Sequence, residues 1–115
     1  MSKASYWQRG ESLDYKNATE TIIKANTVVK LAERIGIAGT DILPGAVGDL
    51  HMSGVFEFNK TSANAIPMGT SVYFDGTGIT EAADDGEEEA TAYTPAGFAA
   101  ADATAEDKKI LVKIG

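Results

Sequence analysis

The chain reads as a mainly β protein: a single small β-barrel or β-sandwich with one or two short helical turns and an extended N-terminal arm. Three observations point there. Thr, Val and Ile recur in the brief runs TVVKL, VFEF, SVYF and ILVKI, whose β-branched and aromatic side chains suit a pleated, half-buried surface. Gly and Pro, with polar turn residues, punctuate these runs at short intervals, as connections between strands do. No stretch sustains the i, i+3, i+4 apolar spacing of an amphipathic helix. At 115 residues, 43% hydrophobic and 23% charged, the chain is long enough for one folded domain and too short for two cores. Standing alone, such a domain would expose roughly 6,000 Å².

The elements follow in order. Residues 1–11 (MSKASYWQRGE) form the arm, and residues 12–115 the single β domain. A first strand covers residues 12–17, and half-buried strands follow over residues 27–31 and 34–38. The segment GTDILPGAVGD turns around Pro44, whose locked φ and missing N–H suit a loop. Residues 47–58 (VGDLHMSGVFEF) are the most strand-like, with Gly54 as a bulge or sharp bend, beyond which Phe56 and Phe58 share a face. Residues 61–66 make a helical turn capped by Ser62 and stopped by Pro67 and Gly69. SVYF resumes a strand at residues 71–74, and the tight turn DGTG leads to a return strand at Ile79 and Thr80. DDGEEE, residues 84–89, repels itself and belongs on a solvated loop. Residues 93–101 and 110–114 are the last strands, the latter placing Ile110, Val112 and Ile114 on one face, with a helical turn at residues 104–108 between them.

Composition narrows the function. Ten basic against seventeen acidic residues give a net charge of −7, which repels a phosphate backbone, so nucleic acid is not an expected partner. No apolar run approaches the roughly 18 residues a membrane-spanning helix needs, and the first residues lack the apolar core of a signal peptide, so neither membrane nor secretion is expected. Without cysteine there is no disulfide, thiolate metal site or thiol nucleophile. GVFEFNKT, residues 54–61, approaches a phosphate-binding loop, but Asn59 stands where its second Gly belongs and strand formers fill the middle. The only histidine, His51, is read as a half-exposed strand residue, and the acidic loop lacks the alternating ligand spacing of a calcium site. Asn17-Ala18-Thr19 and Asn59-Lys60-Thr61 match the glycosylation triplet and are read as ordinary polar residues beside turns. No nucleophile elbow accompanies a Ser-His-Asp set. These readings imply neither an enzyme nor a cofactor. They leave Tyr6 and Trp7, large aromatics in a polar arm, as anchors for an interface, against the alternative that the arm folds back on its own core.

The order of short motifs carries a resemblance. Gly10 before SLDYKNAT, Gly-Val-Phe-Glu at residues 54–57, Gly-x-x-Val-Tyr-Phe-Asp at 69–75, Thr-Pro-x-Gly-Phe at 94–98 and the terminal Val-Lys-Ile at 112–114 together resemble the small phage capsid cement or head decoration proteins. The resemblance spans about residues 10–114. It implies a structural virion protein that binds the outside of a phage capsid as a homotrimer. Its partner would be the major capsid protein, and its work would be to stabilise contacts between capsid subunits. Its location would be the outer capsid surface, and the host cytoplasm before assembly. Tyr6, Trp7 and Arg9 are then the capsid-contact candidates, with no catalytic, cofactor or metal residue. The alternative is a small ligand- or carbohydrate-binding β module, with Tyr73, Tyr93 and Phe98 lining a groove.

Overall fold

Side chains alternate across a strand, and the last strand shows what that does here. In β9 (Lys109–Ile114), Ile110, Val112 and Ile114 are buried while Lys109 and Leu111 are exposed. The computed structural model describes residues 3–89 and 91–115, so Met1 and Ser2 of the expected arm lie outside the described residues. Among the described residues nine strands form two antiparallel sheets: β1 (Ser12–Lys16), β2 (Val28–Lys30), β3 (Ile35–Ala38), β4 (Val47–His51), β5 (Gly54–Asn59), β6 (Ser71–Phe74), β7 (Ile79–Thr80), β8 (Thr94–Ala99) and β9. The first sheet has the order β1-β4-β3-β2 and the second β5-β9-β8-β6-β7. The sheets pack as an open sandwich and do not close into a barrel.

The two sheets repeat one unit, with β1, β2, β3 and β4 matching β5, β6, β8 and β9. In each, the first strand is followed by a crossover to three successively paired strands, the last of which lies beside the first, a Greek key. The register agrees except at a bulge between Val72 and Tyr73, beyond which Tyr73 pairs with Pro95. Val29 pairs with Gly36 as Val72 does with Gly97, Ala38 with Leu50 as Ala99 does with Val112, and Leu13 with Leu50 as Phe56 does with Val112. Between strands, Ile23 and Ile42 exchange backbone bonds (3.0 and 2.7 Å) as Ile66 and Ala103 do (2.9 and 2.9 Å). The Ala25 amide donates to Asp41 Oδ1 at 2.8 Å, and the matching Met68 amide to Asp102 Oδ1 at 2.7 Å. The second unit differs by the β6–β7 hairpin and the acidic loop, inserted where the first has a short β2–β3 connection.

Each bridging residue precedes a four-residue turn closed by an i to i+3 bond: Lys24 to Thr27, Leu43 to Ala46, Pro67 to Thr70 and Thr104 to Asp107. In the first three, the third turn residue has positive φ, at Asn26 (70°), Gly45 (78°) and Gly69 (91°). Such a turn reverses direction without a helix. The helical turns expected at residues 61–66 and 104–108 are therefore absent: Ile66 is spent on the bridge to Ala103, and Thr104 to Asp107 form one isolated turn. The stretch read as one strand with a bend at Gly54 is two strands in different sheets, the chain crossing at Met52 and Ser53 and entering β5 at Gly54 with φ 120°. β3 is buried at every residue rather than half buried, because it is covered on both faces.

One face of the first sheet, with Val29, Ala38 and Leu50, closes over Ile42 in a small cluster. From the other face Val28, Ile35 and Ile37 join the larger cluster, whose remaining members belong to the second unit, among them Phe58, Ile66, Val72, Val112 and Ile114. The alanines near the C-terminus, Ala96, Ala99 and Ala103, are core residues, small where backbones approach. Beside them, a Cβ on Gly97 would overlap the Lys113 carbonyl, and its φ is 129°.

Candidate functional site

Two of the buried polar residues, Asn17 and Lys60, sit at matching places in the two units, while Thr80 and Thr94 are buried in the second unit alone. Asn17 and Lys60 each follow the first strand of a unit, and their amides donate to Ala46 O and Lys108 O at 2.9 Å. Asn17 is fully buried, and its amide group is saturated: Nδ2 donates to Thr21 O (2.8 Å) and Ile42 O (2.9 Å), while Oδ1 accepts from Thr19 N (3.0 Å) and Thr19 Oγ1 (2.6 Å). It is a structural knot rather than an ordinary polar residue beside a turn, which corrects the sequence reading. Lys60 is 8% exposed and donates through Nζ to Ser62 O at 2.6 Å. The segment that approached a phosphate loop is strand β5, laddered to β9 along its length, and its backbone does not wrap an anion.

His51 ends β4, half buried, with Ser12 Oγ 3.5 Å from Nδ1 and the Phe56 ring centroid 5.9 Å away. The Ser–His distance lies at the long limit for a hydrogen bond. In the acidic loop, Asp84 and Asp85 turn inward on the backbone, accepting from the Gly86 and Glu87 amides (2.9 and 3.0 Å), and among the described residues no three side chains converge on a metal. The Asp85 carboxyl lies below its ordinary value, held there by the Glu87 and Thr91 amides. Burial pushes the Asp75 carboxyl up, but the Thr61 hydroxyl and the Gly78 and Thr77 amides outweigh it and leave Asp75 below its ordinary value. Glu81 behaves likewise, with Ser62, Asn64 and the Lys60 charge outweighing burial. Burial, with Asp75, Asp85 and Asp84 nearby, raises the Tyr93 hydroxyl. These are structural turns with strong acceptors.

Tyr73, Tyr93 and Phe98 do not meet in one groove. Tyr93 borders two shallow clefts of about 160 and 550 Å³ beside Lys30, and neither Tyr73 nor Phe98 lines them. A cleft of about 590 Å³ opens at the junction of the two units beside Leu13, Met52 and Ile114, with Glu11, Glu33, Arg9 and Arg34 on its rim.

What the surface offers instead is apolar and aromatic area. Trp7 is 90% and Tyr6 82% exposed, so neither packs into the core, and Arg9 makes only an exposed pair with Glu11 at 3.4 Å. On the outer face of the second sheet Val55, Phe98 and Leu111 are exposed. The molecule exposes 7660 Å², against roughly 6,000 Å² for a compact monomer of its mass. Part of that surplus is the extended arm, whose residues 3–9 are all exposed. Sequence reasoning picked out Tyr6 and Trp7 and passed over Val55 and Leu111, whose signal was only that they alternate with the core residues of β5 and β9.

Comparison with curated proteins and with solved structures finds no match. Comparison with protein families finds one, described as phage cement protein, which matches residues 7–114 and so takes in both repeated units and begins at Trp7. A match of that extent covers nearly the whole chain: the chain belongs to the phage cement protein family.

Proposed function

We propose that the protein is a head decoration protein that binds the outside of the phage capsid as a trimer and holds neighbouring major capsid subunits together. Membership of the cement family carries this reading, and the exposed aromatics Tyr6 and Trp7 support it. Before assembly the protein waits in the host cytoplasm, and on the virion it occupies the outer capsid surface. A ligand that binds only the assembled shell stabilises it by RT ln(1 + [L]/Kd), about 2.7 kcal/mol per site at a hundredfold excess over Kd. Tyr6, Trp7 and Arg9 form part of the attachment: two aromatics bury large area at low rotamer cost, which offsets ordering an arm at about 1–2 kcal/mol per residue.

Co-sedimentation of the purified chain with expanded heads tests this. Decoration should be saturable and should raise the temperature at which heads rupture. Deleting residues 1–10 should leave the melting curve unchanged and lower occupancy, and Trp7→Ala should reproduce much of that loss. Undiminished decoration by the truncated chain removes the arm from the attachment, and absence of any decoration by the full chain removes the capsid role.

A further inference from the structure

We draw no further inference here: the strongest candidate, the outer face of the second sheet on which Val55, Phe98 and Leu111 are exposed, carries nothing because nothing in the structure shows what covers it.

Discussion

The first unit binds its core with a polar knot and the second with apolar mass. Both use the same strands in the same register, yet the first has a small cluster around Ile42 and Leu50 locked by Asn17, whereas the second gathers the large cluster around Val112 and puts Lys60 where Asn17 stands. The second unit also has the insertions, and all four carboxyl and hydroxyl groups with shifted pKa lie in it. The difference teaches that a Greek-key backbone of this kind tolerates either solution at its first crossover, provided that the carbonyls there find donors and the bridging residue is covered.

Substitutions at matched positions should separate the two units, beginning with the glycines opposite the buried valines. Gly97→Ala should cost on the order of 4 kcal/mol, because it sets a Cβ against the Lys113 carbonyl at a φ that L residues avoid. Gly36→Ala, at the same place in the first unit, meets only the Met52 sulfur and Leu50 side-chain atoms at 3.0–3.1 Å with no positive φ, and should cost about 1 kcal/mol. Urea unfolding of both variants checks the ranking, and equal costs would break the comparison. The polar knot comes next. Asn17→Ala removes four hydrogen bonds of a fully buried amide, two to the Thr21 and Ile42 carbonyls and two from Thr19, and should cost about 3 kcal/mol, while Lys60→Met, which keeps the stem and gives up one bond, should cost about 1 kcal/mol or less in the same assay.

A smaller effect is expected at the turns. Gly45→Ala, at φ 78° with nothing within 4 Å, should cost about 1 kcal/mol from backbone strain alone, and Asn26→Gly should be neutral within a few tenths, as thermal melting would show. The least effect on global stability, and the sharpest on local order, comes from acid. Asp75, Glu81 and Asp85 all titrate below their ordinary values in the fold, so the unfolded chain takes up their protons first. The stability they lend is complete above the ordinary carboxylate range and drains away as pH falls through their lowered folded values. Hydrogen exchange below about pH 4 should therefore loosen the Thr77 and Gly78 amides of the β6–β7 turn before the Ile23–Ile42 bridge. Simultaneous loosening would show that the insertion has no separate acid response.

Much of the strand content was legible because alternation is local. Ile110, Val112 and Ile114 declare a one-sided strand with no reference to what covers them, and DGTG declares a tight turn by the dihedrals it needs. The cement resemblance was legible as an order of short motifs, and the family match over residues 7–114 agrees with it. The repeat had a signal too: an Ile, then Asn or Gly three residues on, then a β-branched strand, at Ile23, Ile42 and Ile66. It went unread because the two units share positions rather than residues, Leu13 matching Phe56 and Asn17 matching Lys60. Which strands join which sheet, the burial of β3 on both faces and the outward turn of Phe98 were decided by tertiary structure alone. A strand's own residues fix its two faces, but only the stacking of one sheet on the other determines which face is covered, since Ile37 and Phe98 occupy the same place in their units and meet opposite fates.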